Sequence, residues 1–407
     1  MPVAPAPVPL RLVDDVERRA RIARRHGVAP AERYDDVMSA VRAMTVLHAT
    51  EPATVHLSLR ARVHDVTVAD VEAAMYDERV LVKQLAMRRT LFGFPRELLP
   101  AAWGSASARV AVTERARLAK DVVAGGLTDD GDAWVEAATT AVLAHLADGA
   151  ELPAQRLREE VPAIAGRLTY DGPGGAASQP VGPRVLTVLG AHGALMRGRN
   201  GGHWRTSRPQ WTRTERWLPE VPEPLAPDEG YAEIVRRWLW TFGPATTADL
   251  QWWLGSTKSA ATRALGDVGA VPVEIEARGP APADRAPAWL LPDDLEPVSY
   301  DAPWAALLPV LDPTVMGWKD RTFLLGDHGP QLFDRNGNAG TTAWWNGEAV
   351  GCWTQDEAGT VELRLLGDVG AEARSALDVE AERLGAWLDG TRVLTVYPSP
   401  LMRAAGG

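Results

Sequence analysis

Cysteine is nearly absent from the 407 residues, with Cys352 standing alone. One thiol closes no internal disulfide and builds no thiolate metal cluster, so a reducing, cytoplasmic setting is expected. Lysine is scarce too: Lys83, Lys120, Lys258 and Lys319 are four of 43 basic residues. A GC-rich genome is the simplest source of that bias, and it implies nothing about function. No stretch approaches the roughly 18 uncharged apolar residues of a membrane span, so no membrane partner is expected. The opening MPVAPAPVPLRLVDDVERR lacks the charged and apolar regions of a signal peptide. A phosphate-binding loop, a Gly-x-Ser-x-Gly elbow and a dinucleotide fingerprint are all missing. His48, His56 and His64 lie eight apart and share no helical turn, so neither a metal nor another cofactor is expected.

What is present is a globular composition, 46% hydrophobic and 24% charged, in a chain long enough for two to four modules. Tryptophan is abundant, 16 against 5 phenylalanines and 6 tyrosines. Large rings suit a core and equally suit a surface that stacks on bases. The net charge of −10 is unevenly spread. Arginines 184, 197, 199, 205, 208, 213 and 216 meet one acid, Glu215, in a stretch that also carries Trp204, Trp211 and Trp217. Guanidinium forks interleaved with rings are what a phosphate-tracking surface needs. A solvated hairpin with incidental arginines is the blander alternative. Residues 356–383, with eight acids and three arginines, read as a solvated face.

Periodicity outlines a recurring unit. Helices are expected over 35–48 and 51–62, then one capped by Thr67, followed by strand-like residues 81–94. A second copy opens with a helix from Asp132 to Leu146, then PAQRLREEV, a helix from Gly182, and strand-like GALMRGRN and HWRTS. The third runs through EGYAEIVRRWLWTFG, ADLQWWLG and a short helix from Ser256 to the strand-like AVPVEIEARG and PAWLLPDD. Helix, turn, helix, short helix and ribbon is the order of a winged helix-turn-helix. The second helices of the copies open on loosely matching words, Thr-Val-Ala-Asp-Val, Leu-Pro-Ala-Gln-Arg-Leu and Thr-Thr-Ala-Asp-Leu. After about residue 300 short strands take over, with a type I′ hairpin at Asn346-Gly347, a helix over 371–388 and a last strand, TRVLTVYP. Asp334-Arg-Asn336-Gly-Asn338 begins like a calcium loop. Ala339 and Trp345 stand where glycine and a bidentate glutamate are required, so an Asx turn is expected instead.

The remaining constellation is Leu47-His48-Ala49-Thr50-Glu51-Pro52. Thr50 two residues before Pro52 suits a helix N-cap, and His48 at a helix end can satisfy carbonyls. Alternatively, His48 and Thr50 face one point in a cleft, where His48 accepts a proton from water and Thr50 holds that water. Such chemistry suits a bond that is already activated.

The phrases VLHATEPATVHLSLRARV, LVKQLAMRRTLFGFPREL, RRWLWTFGPATTADLQWWLG, LDPTVMGWKDR and AWWNGEAVGCW together resemble the AlkZ/YcaQ-like bacterial winged-helix DNA glycosylases, over about residues 35–400. The resemblance implies an α+β fold of three tandem winged-helix units in a C-shaped array with a β-rich C-terminal cap. The modules would be 1–125, 126–220 with the basic ribbon, 221–299 and 300–407. It also implies metal-free, monofunctional excision of N-alkylated purines, bulky or cross-linked N7 adducts included, from double-stranded DNA in repair. The family's catalytic Gln-x-Gln or Gln-x-Asp falls on His48-Ala49-Thr50, making His48 and Thr50 the expected catalytic pair. Arg197, Arg199, Arg205, Arg208 and Arg213 are expected on the DNA backbone, with Lys258 and Arg263 on the third unit's short helix. A monomer associated with the nucleoid is the corresponding expectation for assembly and location. A catalytically inactive, regulatory DNA-binding protein is the alternative, and a protein-interaction module without DNA is a third.

Overall fold

The computed structural model describes residues 11–172, 175–277 and 284–404. Part of the N-terminal stretch read for a signal segment and the end of AVPVEIEARG lie outside the described residues. By contact density the chain divides into two units. One holds residues 1–45, 60–65 and 232–407, and the other holds 46–59 and 66–231. The fold is mixed α+β with several small sheets.

A short strand β1 (Leu12–Val13) precedes helix α1 (Asp15–Arg25). The first copy then runs as α2 (Val37–Ala43), β2 (Leu47–His48), α3 (Pro52–Arg62), α4 (Val68–Glu72) and the hairpin β3 (Leu81–Leu85)–β4 (Leu91–Pro95). The helix expected over 35–48 therefore ends at Ala43. Met44 leaves the helix, and Thr45 takes a left-handed φ of 65° that redirects the chain into β2. Helices α5 (Leu99–Gly104) and α6 (Ala106–Ala124) lead to the second copy. It comprises α7 (Gly131–His145), β5 (Leu152–Pro153), α8 (Ala154–Glu160), an inserted hairpin β6 (Arg167–Gly172)–β7 (Gly175–Pro180), α9 (Gly182–His192), β8 (Leu195–Asn200) and β9 (Pro209–Arg213). HWRTS is not a strand but the turn between β8 and β9. A one-turn helix α10 (Thr214–Trp217) ends this copy.

The third copy is α11 (Pro227–Phe242), α12 (Thr247–Leu254), α13 (Lys258–Asp267), β10 (Val271–Glu276) and β11 (Arg285–Leu290). The strand after the first helix lies beside the last strand in each copy, giving β2-β4-β3 and β5-β9-β8. In the third copy an isolated bridge, Ala245 to Trp289 of β11, takes the same place, and β1 adds in parallel to the far edge of β10.

Local chemistry accounts for these boundaries. Thr67 and Asp70 form a capping box at α4, and Thr246 and Asp249 form one at α12. The matching words Thr-Val-Ala-Asp and Thr-Thr-Ala-Asp are thus capping chemistry at different places, the third helix of one copy and the second of another. The Asp249 carboxylate also accepts the backbone N–H groups of Lys319 and Asp320, at 2.9 and 3.1 Å. Gly193 and Gly255 end α9 and α12 in the left-handed region, with φ of 82° and 60°. The second copy packs its helices around Leu118, Val142, Leu157, Ile164, Leu186 and Trp211. Each such fully buried side chain contributes roughly 1.5–3 kcal/mol.

The C-terminal part is a meander of β12 (Ala305–Leu308), β13 (Thr342–Trp345), β14 (Glu348–Gln355) and β15 (Val361–Leu365). One-turn helices α14 (Pro313–Met316), α15 (Thr322–Leu325) and α16 (Gly329–Leu332) separate the first two strands, and α17 (Ala371–Leu388) covers the sheet. Asn346 and Gly347 turn with φ of 48° and 86°, as a type I′ hairpin requires. Asp334 accepts three hydrogen bonds from Asn336 and Asn338, forming the expected Asx turn. TRVLTVYP is not a strand. Its alternating apolar side chains are exposed, Leu394 at 73% and Val396 at 78%, and a one-turn helix, α18 (Pro400–Arg403), follows it.

Candidate active site

The loop after α2 enters β2, and the ladder to β4 holds residues 47–49 in place. Leu47 pairs with Gly93 and His48 with Phe92, and the Ala49 N–H donates to the Leu91 carbonyl at 2.9 Å. His48 is a strand residue and not a helix cap. Its ring is buried, edge-on to Phe92 at 5.3 Å, and among the described residues Nδ1 has no hydrogen-bond partner. Burial first, and the Arg88 guanidinium second, push its pKa down to about 3. The imidazole is therefore neutral across the physiological range.

Thr50 is exposed on the bend between β2 and α3. Helix α3 begins at Pro52, so the flanking residue is Glu51 and not Thr50. Glu51 is a buried carboxylate, 8% exposed, that residue-type reasoning passed over. Its place beside a histidine and a threonine in the chain was the available signal. Arg88 was missed as well. It lies in the β3–β4 turn, where Arg88 and Arg89 have φ of 53° and 56°, a left-handed pair that costs non-glycine residues strain. Arg89 is tied to Glu114 at 2.8 Å.

The arginine stretch is less cationic in space than in sequence. Arg184 pairs with Asp121, Arg199 with Asp77 at 2.7 Å and Arg213 with Glu215. Arg205 and Arg208 are exposed in the β8–β9 turn, while Arg197 is half-buried on β8. The turn is held by Asn200. Its side-chain amide donates to the carbonyls of Gly202, His203 and Thr206, and its oxygen accepts the Arg208 N–H at 2.8 Å. The tryptophans of this stretch do not offer faces to bases. Trp204, Trp211 and Trp217 are buried: Trp211 lies in the second copy's core, Trp204 packs against the His56 ring and Trp217 lies beneath Arg79. Arg197 lies over Trp211 and Arg79 over Trp217, at 4.4 and 4.2 Å from the ring centres. Lys258 and Arg263 are exposed on α13, in the unit that does not contain His48.

Among the described residues no group of three or more His, Cys, Asp or Glu could hold a metal ion. Among the same residues no helix is long and apolar enough to cross a membrane.

No curated protein sequence matches the chain. Its structure is similar to that of the Streptomyces sahachiroi DNA glycosylase AlkZ, with a TM-score of 0.72 over 94% of this chain and 98% of that one. At 17% identity this likeness shows the fold alone. The model of the family described as DNA glycosylase AlkZ-like matches residues 41–387, and the chain therefore belongs to that family.

Proposed function

We propose that the protein is a monofunctional DNA glycosylase that hydrolyses the N-glycosidic bond of N-alkylated purines in duplex DNA, with His48 and Thr50 at the reacting centre. The three recurring copies are winged-helix modules within the divisions 1–125, 126–220 and 221–299, and 300–407 is the cap. Arg197, Arg199, Arg205, Arg208 and Arg213 grip the backbone, with Lys258 and Arg263 as further contacts.

The observation that carries the reading is the buried, unbonded Nδ1 of a neutral His48, at the position where the family's catalytic pair falls. An N7-alkylpurine is cationic and leaves without a general acid. What remains is to guide one water to C1′ of an oxocarbenium-like sugar, as in glycoside hydrolysis, the strongly acidic proton of the new C1′–OH2+ passing to bulk solvent. A neutral imidazole suits that task. It accepts a hydrogen bond from water and adds no positive charge beside the developing cation. Exposed Thr50 supplies a hydroxyl to the same water.

The test is release of 7-methylguanine from methylated duplex. Wild type releases the base, and His48→Ala lowers the rate by roughly 100-fold or more, within the range for loss of a positioned acid–base group. Duplex binding without release from any alkylated substrate would instead assign a catalytically inactive DNA-binding role.

A further inference from the structure

Among the described residues neither Lys83 nor Arg197 has a bonded carboxylate. Lys83, in the middle of β3, and Arg197, on β8, line one narrow crevice with Thr187, Gly190 and Trp211. Among the described residues the Lys83 ammonium makes a single polar contact, a long hydrogen bond to Tyr76 Oη at 3.4 Å. The Arg197 guanidinium makes none beyond its stack on Trp211. That contact anchors the fork over the ring and leaves its N–H groups unspent.

The bland explanation is that both cations serve the C-terminal end of α9, where helix carbonyls concentrate negative charge. Those carbonyls are already used. The Gly190 oxygen accepts Gln84 Nε2 at 3.0 Å and the Gly193 N–H at 3.2 Å, and the Leu189 oxygen accepts the Ala194 N–H. Two half-buried like charges therefore repel each other, and neither has a bonded carboxylate. Such an arrangement costs stability unless an anion completes it. The crevice holds about 10 Å³, room for little more than one oxygen atom. A nucleobase is excluded, and one oxygen of a phosphate fits.

We propose that Lys83 and Arg197 form a clamp for a single backbone phosphate of DNA, the ammonium acting as a point charge and the guanidinium as a planar fork. The clamp rests on the DNA-binding half of the proposed function and is independent of the glycosylase step. The groups facing Lys83 set its response to pH. Glu72 from α4 favours its charge, Arg197 from β8 opposes it, Tyr76 from the turn after α4 meets it, and α9 brings only Thr187 and backbone. His56 from α3 also lies within its field, and burial keeps that ring neutral. Burial, then Arg197, pushes the Lys83 pKa down to about 8, and burial pushes Arg197 down to about 10. A bound phosphate raises the Lys83 value, so its contribution to affinity is complete below pH 8 and is lost as pH rises above it.

The experiment is fluorescence anisotropy with an unmodified duplex, on the full chain, across salt and pH. Lys83→Met is expected to weaken binding about 5- to 10-fold and to reduce the log-affinity against log-salt slope by about one. Wild-type affinity falls several-fold between pH 7.5 and 9.5, whereas Lys83→Arg binds like wild type at pH 7.5 and stays flat. Arg197→Met weakens binding comparably. Melting curves of the variants show whether they fold, and Lys83→Met melts no lower than wild type because it removes a half-buried charge that has no bonded carboxylate. Unchanged affinity and slope in both methionine variants overturn the clamp. A rise in wild-type melting temperature with inorganic phosphate, absent in Lys83→Met and accompanied by unchanged duplex binding, also overturns it and assigns the pair to free phosphate. Base release by wild type with a failed clamp leaves the glycosylase reading intact, and a working clamp without base release removes only the catalytic step.

Discussion

An imidazole enclosed by Phe92 and strand backbone loses the water that would stabilise its proton, and no carboxylate is bonded to Nδ1 to replace it. Under the proposed function, His48 then works through a hydrogen bond it accepts, not through a proton it trades. A glutamine, whose side-chain oxygen also accepts, is the substitution that separates these roles. His48→Gln should retain activity within about tenfold of wild type where His48→Ala loses roughly 100-fold. Because the controlling pKa lies at about 3, the single-turnover rate on 7-methylguanine duplex should be flat from pH 5.5 to 8.5. An inflection near pH 6.5 that disappears in His48→Gln would show a titrating base and defeat this account. Residue type and spacing made His48 and Thr50 legible in the chain as a candidate pair. Its strand setting, the buried Glu51 beside it and the left-handed Arg88 were not, because burial and backbone strain come from long-range packing.

At the scale of the element, the β8–β9 turn shows how one neutral side chain positions several charged ones. Asn200 spans the turn with four hydrogen bonds, to the backbone of Gly202, His203, Thr206 and Arg208. Both Arg205 and Arg208 project from that loop. Asn200→Ala removes the brace without touching a charge. Duplex affinity should fall about three- to tenfold while the global melting temperature moves by a degree or two, read by anisotropy and calorimetry on one preparation. A large drop in melting temperature with unchanged affinity would mean that the turn supports the core and does not present the arginines. Helix caps and turn residues such as Thr67, Asp334 and Asn346-Gly347 could be placed from sequence because their chemistry is local. The chain could not show that Trp204, Trp211 and Trp217 face inward, since an amphipathic ring suits core and surface alike. Nor could it show that TRVLTVYP forms no strand: alternation marks a strand only when a neighbouring strand offers it a ladder.

Across the whole molecule, buried neutral histidines set the response to acid. His26 is held between Thr314 Oγ1 and the Thr241 carbonyl, beneath the Arg62–Asp312 ion pair, which is fully buried. In the other unit His48 and His56 are buried, each with one ring nitrogen unbonded. All three are pushed down to about 3, chiefly by burial. Between about pH 6.5 and 3 the unfolded chain binds a proton at each ring that the folded chain refuses, so stability is lost as pH falls through that window. Each ring contributes a slope of about 1.4 kcal/mol per pH unit, or roughly 4 kcal/mol per unit for the three together. Against a total stability of about 5–15 kcal/mol, this should bring unfolding within reach by about pH 5. Denaturant melts at pH 7, 6 and 5 should show the midpoint falling steeply, and His56→Phe should flatten that fall by about a third. A midpoint indifferent to pH over this range would mean the rings are charged in the folded protein. A cation at His48 would then stand beside the developing oxocarbenium ion, and the same melts would count against the water-positioning role.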